Sequence, residues 1–286
     1  MRCLFASDIH GHERRWLALF DAIERELPQA VFLGGDLLPA VRRSAAGVYP
    51  VVNDFIRDFL VVRLDELRSR LREDYPAIFL IPGNDDARTH EDALIATEDH
   101  GLWTYAHGRI QALRDYDVLG YAFVPPTPFR CKDWERYDVS RYVDPGCISP
   151  EDGFLTVPRD QRDLRYGTIE DDLKEMSDCR DLSRTICLFH SPPYDTVMDR
   201  AALDGRFIDH VPLDVHVGSI AIRKFILDRV PRISLHGHIH ESASITGTWK
   251  QQLGATWCYS AAHKGKELAL VRFDPDHPAD AERELL

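Results

Sequence analysis

The chain has 286 residues, 44% of them apolar and 29% charged, with a formal net charge of −12. That length and apolar content suit a globular protein with a large core, and the acidic balance argues against a broad electropositive face for extended nucleic acid. No apolar run approaches the ~18 residues of a membrane helix, so no membrane association is expected.

The predicted elements follow in chain order. A short apolar run, residues 2–7, leads to Asp8 and is too short for a signal peptide. His12 to Leu27 reads as a helix with an apolar stripe of Trp16, Leu17, Phe20, Ile23 and Leu27, ended by Pro28. A second run, residues 30–35, leads to Asp36. Tyr49 to Glu73 carries a longer helical pattern whose second half alternates Arg with Glu or Asp, and sheet packing is its expected role. A third run, residues 77–83, leads to Asn84, and Val118 to Val124 reads as a strand. From about 125 to 166 the pattern is irregular and rich in Pro, Asp, Arg and aromatics. Loops of that length often cover a site. Arg130, Lys132, Trp134, Arg136 and Tyr137 within it are suited to a phosphate and a flat aryl group; a surface excursion with solvated charges is the equal alternative. A fourth run, residues 185–189, leads to His190. Ser219 is placed to N-cap a helix from Ile220 to Val230, and a fifth run, residues 232–237, leads to His238. From about Asp274 a polar tail is expected. No composition change divides the chain, so 1–286 reads as one domain. Six scattered cysteines without a C-x-x-C are expected to be reduced, in a cytoplasmic protein.

Five apolar runs thus end in a possible metal ligand. Asp8-Ile9-His10 and His238-Ile239-His240 each hold two such ligands one residue apart. Side chains at i and i+2 share a side on an extended backbone, so each pair is expected at a strand end or in the loop just after it. Ligands at the carboxyl ends of neighbouring strands are where open α/β sheets place their sites. Asp and His suit Mn, Fe, Zn or Co, and two such ions clamp a phosphoryl group and activate water. His236 is expected to pack in its strand and His12 to start a helix, while His107, His216 and His263 have no ligand-like partner in sequence.

The ordered fragments D-x-H (8–10), G-D (35–36), G-N (83–84), His190 and G-H-x-H (237–240) resemble the calcineurin-like metallophosphoesterase superfamily. His190-Ser191-Pro192-Pro193-Tyr194 and His216-Val217-Gly218-Ser219 are similar to a branch of predicted phosphoesterases related to cyclic-AMP phosphodiesterase-like proteins. The resemblance implies a four-layer α/β/β/α sandwich of two packed mixed sheets with flanking helices. It implies two divalent ions, one held by Asp8, His10, Asp36 and His240 and the other by Asp36, Asn84, His190 and His238. The implied reaction is phosphoester hydrolysis through a metal-bridging hydroxide, with Asn84, Asp85 and His190 at the phosphate. Many relatives carry His after the Asn ligand. Asp85 stands there in this chain, and an ordinary Asp is ionised at pH 7 and a poor proton donor, so a bystander carboxylate is preferred to a general acid. The departure favours a diester over a monoester. A non-catalytic scaffold is the remaining alternative. Arg88, Arg130 and Tyr194 are candidate substrate contacts, and the expected partner is a small phosphoester, a nucleotide among the candidates.

Overall fold

The computed structural model describes residues 1–40, 43–44, 47–48 and 54–286. The strands in chain order are β1 (Cys3–Ala6), β2 (Ala30–Gly34), β3 (Arg43–Ser44), β4 (Gly47–Val48), β5 (Ala77–Ile81), β6 (Thr104–Tyr105), β7 (Arg109–Leu113), β8 (Tyr116–Tyr121), β9 (Thr185–Phe189), β10 (Phe207–Ile208), β11 (Val211–Pro212), β12 (Ile233–His236), β13 (Lys250–Leu253), β14 (Thr256–Ser260), β15 (Ala269–Phe273) and β16 (Glu282–Leu285). The α-helices are α1 (Glu13–Glu26), α2 (Val62–Leu71), α3 (Glu91–Ala96), α4 (Gln161–Tyr166), α5 (Ile169–Ser177), α6 (Ile220–Arg229) and α7 (Ser242–Thr246).

Two six-stranded mixed sheets form the core layers, in the orders β16-β15-β1-β2-β5-β6 and β13-β14-β12-β9-β8-β7. Within the first, β1, β2, β5 and β6 run parallel, and within the second β8, β9, β12 and β14 do. Period-2 alternation divides the residues of the first sheet between two clusters. Leu4, Ala6, Val31, Leu33, Ile78 and Leu80 pack with Trp16, Leu19, Phe20 and Ile23 of α1 and Leu64 and Leu67 of α2. Cys3, Phe5, Phe32, Phe79 and Ile81 join the cluster built on the second sheet, where Tyr259 of β14 meets Phe273 of β15 at 5.7 Å. That cluster also takes in Ile169 and Leu173 of α5 and Ala221, Ile222, Phe225 and Ile226 of α6. The result is the expected four-layer sandwich. Each fully buried Phe or Leu contributes about 1.5–3 kcal/mol of transfer free energy.

All five apolar runs that lead to candidate ligands are strands: β1, β2, β5, β9 and β12. Ser219 caps α6 by accepting the Ile222 N–H at 3.0 Å. Four expectations change. On α1 the buried stripe is Trp16, Leu19, Phe20 and Ile23, an i, i+3, i+4, i+7 set, while Leu17 and Leu27 are 41% and 42% exposed. Of the long helical pattern, residues 49–53 lie outside the described residues. Its remainder is a π-helical stretch Phe55–Val61, then α2, then a 3₁₀ turn Arg72–Asp74. The irregular stretch from 125 ends in α4, capped by Asp160, which accepts from the N–H groups of Arg162 and Asp163. The polar tail is an edge strand. β16 pairs antiparallel with β15, Leu268 and Leu286 exchange both backbone bonds at 2.8 Å, and Ala281 is buried. Glu282, Glu284 and Leu285 are exposed on β16, as suits an edge that faces water. Among the described residues all six cysteines are free, and no helix is long and apolar enough to cross a membrane.

Candidate metal centre

The candidate ligands sit one to four residues past the carboxyl ends of their strands, at the end where the parallel strands of both sheets finish. Asp8-Ile9-His10 lies in the loop just after β1, as expected, but its backbone is not extended. Asp8 and His10 have φ of 56° and 52°, Asp36 52° and His238 74°. Left-handed turns therefore bring these side chains inward, each costing of order 1 kcal/mol and persisting because its surroundings over-determine it. Those surroundings are visible: Asp8 N donates to Gly35 O at 2.9 Å, His10 N to Asp36 O at 2.7 Å and Gly11 N to Leu37 O at 2.9 Å. Gly35, at φ 93°, lies so near the third loop that a Cβ there would stand 2.8 Å from Pro82 O and 2.9 Å from Gly83 Cα. Only glycine admits both the conformation and the approach.

One buried side chain joins two of these loops. Asp86 accepts the N–H groups of Leu37 (3.0 Å), Leu38 (2.7 Å) and Gly83 (2.8 Å), tying the Asp36 loop to the Asn84 loop. Its carbonyl in turn accepts the Trp134 indole N–H at 2.8 Å. Nothing in the sequence singles out Asp86 from its neighbour Asp85; the distinction is one of direction in the fold.

The side chains converge in two groups. One donor atom from each of Asp8, His10, Asp36 and His240 lies within 4.8 Å of the others, and the same is true of Asp36, His190 and His238, so Asp36 belongs to both. His10 and His240, 230 residues apart, point their Nε2 atoms at each other at 3.2 Å, and Asp8 Oδ1 is 3.2 Å from His240 Nε2. Asn84 Oδ1 lies 3.1 Å and Asp36 Oδ2 3.4 Å from His190 Nε2. His190 Nδ1 donates to Gly34 O at 2.7 Å, because a carbonyl only accepts. A neutral His190 thus turns the Nε2 lone pair toward two further acceptors. Only a proton or a metal cation satisfies that convergence, so the donor set fits a metal.

The electrostatics agree. Burial alone would lower the His190 imidazole, but Asp36 and Asp8 raise it to about 10. Burial alone would raise Asp8, yet the His240 bond and the charges of His240, His190 and His10 hold it well below the carboxylate range. Asp36 is held down in the same way, chiefly by His190. Burial and the neighbouring His190 push His238 down to about 3, leaving it neutral with a free lone pair, as a ligand must be. A site that draws positive charge onto His190 is one that welcomes a cation.

Residues 1–242 match the calcineurin-like phosphoesterase family. The chain belongs to that family. It is also 26% identical to the uncharacterized protein MJ1162 of Methanocaldococcus jannaschii over 217 residues, 74% of this chain and 79% of the other. Its fold is shared with TT1561 of Thermus thermophilus, at a TM-score of 0.57, 17% identity and coverage of 99% and 98% of the two chains. A further solved structure gives a TM-score of 0.58 at 16% identity, with the same coverage. Membership of a metallophosphoesterase family implies a metal-dependent phosphoester hydrolase.

In this phosphoesterase the residues around the candidate metal centre divide unequally between inward and outward roles. Asp85 has a side chain 41% exposed; its Oδ2 lies 3.7 Å from His10 Nδ1, and its N–H donates to Asp36 Oδ1 at 2.8 Å. Burial and the Asp36 charge raise its pKa. Arg88 is committed elsewhere in the fold: Nε pairs with Glu91 at 2.9 Å and the guanidinium lies 4.9 Å over Trp134. The excursion behaves likewise. Lys132 is buried against Glu135 and the Thr127 carbonyl, and Trp134 and Tyr137 are buried. Arg136 pairs with Asp163 and Asp172. These four were candidate substrate contacts and instead hold the excursion together, because a buried cation needs a partner. Asp133 locks the excursion to the third loop by accepting the Arg88 N–H at 2.8 Å. Arg130 is exposed, and Tyr194 donates from its hydroxyl to Asp214 at 2.6 Å. His236 packs as expected, with Nδ1 donating to Ser191 O at 2.9 Å, and His12 stands at the start of α1. His216 gains a partner that sequence distance concealed, Asp199, at 2.8 Å from Nδ1.

Proposed function

We propose that the protein is a two-metal phosphodiesterase acting on small phosphodiesters, with a nucleotide among the candidate substrates. The observation that carries this reading is the pair of ligand clusters sharing Asp36. Asp8, His10, Asp36 and His240 would hold one ion, and Asp36, Asn84, His190 and His238 the other. When bound, such ions supply a water of lowered pKa and positive charge that stabilises phosphoryl transfer. The chain's own residues do the rest. The shared Asp36 keeps the two clusters together, and the Asp86 bonds hold the Asp36 and Asn84 loops in one arrangement. Asn84 and His190 are assigned to the phosphate as well as to metal.

The preference for a diester rests on Asp85. Its half-exposed carboxylate faces His10 and adds negative charge to the rim. A second negative charge on a monoester, at roughly 6 Å and an effective dielectric constant of ~20, would meet about 3 kcal/mol of extra repulsion. A diester carries a single charge and avoids it. We also read the chain as one cytoplasmic domain, a reading supported by the six free cysteines.

The test is hydrolysis of bis(p-nitrophenyl) phosphate and p-nitrophenyl phosphate by Mn-loaded protein, with Asp36→Asn alongside. The reading expects the diester to be favoured in kcat/KM, and Asp36→Asn to lose at least one ion and nearly all turnover. Full metal occupancy and normal turnover in that variant would refute it.

A further inference from the structure

The support behind Asp8 comes partly from a segment beyond the family match, which ends at residue 242. Arg15 lies on the buried side of α1, 9% exposed. Its Nη1 donates to the Asp8 carbonyl at 2.6 Å, Nη2 to the Gly265 carbonyl at 2.6 Å and Nε to the Lys266 carbonyl at 3.3 Å. Among the described residues no carboxylate lies within ion-pair distance of it. A guanidinium that spends its planar fork on three main-chain carbonyls fixes backbone rather than neutralising a side chain. Arg283 of β16 extends the arrangement, with Nη2 donating to the Ala262 carbonyl at 2.7 Å. Burial pushes both guanidinium groups down and the charge of Asp8 pulls them back up, so both feel that carboxylate.

Asp8 is the residue that needs such support. It stands two places past β1 at φ 56°, a conformation that an Asp leaves readily unless held. Its N–H is fixed by Gly35 O, and its carboxylate accepts the His238 N–H at 3.0 Å. Its carbonyl is held by Arg15.

We propose that Arg15 is a positioning residue for Asp8. By tying the Asp8 carbonyl to Gly265 and Lys266, it holds the left-handed turn that aims the Asp8 carboxylate at the group formed with His10, Asp36 and His240. The segment after residue 260, outside the family match, thereby becomes part of the metal centre's support. This rests on the two-metal reading above. The consequence is selective: losing the fork weakens the ion that needs Asp8 and spares the one held by Asp36, Asn84, His190 and His238. The sign is diagnostic too. Removing a positive charge near Asp8 would by Coulomb's law alone tighten metal binding, so weakening isolates the geometric role.

The experiment is a calorimetric Mn²⁺ titration of EDTA-stripped full-length protein, native and with Arg15→Met, Arg15→Lys and Arg14→Met. Arg14 lies on the exposed side of the same helix. The native protein should bind two ions. Arg15→Met should bind one with native affinity and the other at least ten-fold more weakly. Arg15→Lys, which keeps the charge but not the fork, should weaken the same ion by a smaller factor, and it carries the test if Arg15→Met does not fold. Arg14→Met should match the native protein. Native affinity for both ions in the Arg15 variants, or equal weakening of both, overturns the proposal while leaving the two-metal reading intact. Fewer than two ions in the native protein overturns both.

Discussion

Asp86→Asn tests whether the two central loops are held as described. The carboxylate accepts three backbone N–H groups from two loops, and the side chain is 1% exposed. Burial and the charge of Asp36 push this carboxyl up to about 7, while the bonds from Leu38, Gly83 and Leu37 pull it down. Three donors and no acceptor favour the ionised form, since a protonated oxygen would oppose one of the N–H groups. In the asparagine variant the amide oxygen can keep Leu37 and Leu38. Its NH₂ then faces the Gly83 N–H, donor against donor. One charge-assisted bond, about 1.5–3 kcal/mol, is lost, and at least one buried donor is left unsatisfied at about 1–3 kcal/mol. The expected destabilisation is about 2.5–6 kcal/mol, which in a chain of this size lowers Tm by roughly 4–10 °C. Guanidinium denaturation and thermal melts should be run on metal-free protein, so that ion binding does not add to the native stability. A loss below about 1 kcal/mol would refute both the ionised assignment and the role of Asp86 as the tie between loops.

Further outcomes follow from the same contacts. With Asp85 ionised at the rim, the rate of diester cleavage should depend steeply on leaving-group pKa; Asp85→His should flatten the dependence, and a shallow native slope with collapse in Asp85→Asn would make Asp85 the acid instead. His107, ringed by Tyr105, Tyr121, Phe123 and Trp134, is pushed by burial down to about 3. The unfolded chain takes up that proton near 6.5, so stability from the neutral ring is present above 6.5 and lost as pH falls toward 3, by about 2 kcal/mol between pH 6.5 and 5. Denaturation at the two pH values should show that slope reduced in His107→Gln; an unchanged slope counts against it. Lys132→Met strands the buried Glu135 carboxylate and should cost about 3–5 kcal/mol, with much of the loss recovered in Lys132→Met/Glu135→Gln; a single variant as stable as the native protein would show the pair to be incidental.

Five apolar runs, each ending in a possible ligand, were enough to place β1, β2, β5, β9 and β12 and to nominate the residues that converge at their ends, because buried strands and metal donors both write short, local signals. The same locality explains the failures. An i, i+2 spacing reads as extended backbone, and only the packed loops show that Asp8 and His10 turn left-handed, since the bonds that hold them come from Gly35, Asp36 and Arg15. A cluster of Arg, Lys and aromatics reads equally as a substrate contact or as solvated charge. For Lys132 and Arg136 tertiary structure made it neither, because Glu135, Asp163 and Asp172, themselves ordinary in sequence, neutralise them. The C-terminal residues look like a polar tail until β15 offers them an edge to pair with. Composition and periodicity thus determined the five strands that carry the site and which side chains can bind a metal. Direction, partner and register were decided by the fold, because each depends on how groups from three to more than two hundred residues apart are brought together, and local sequence does not record that approach.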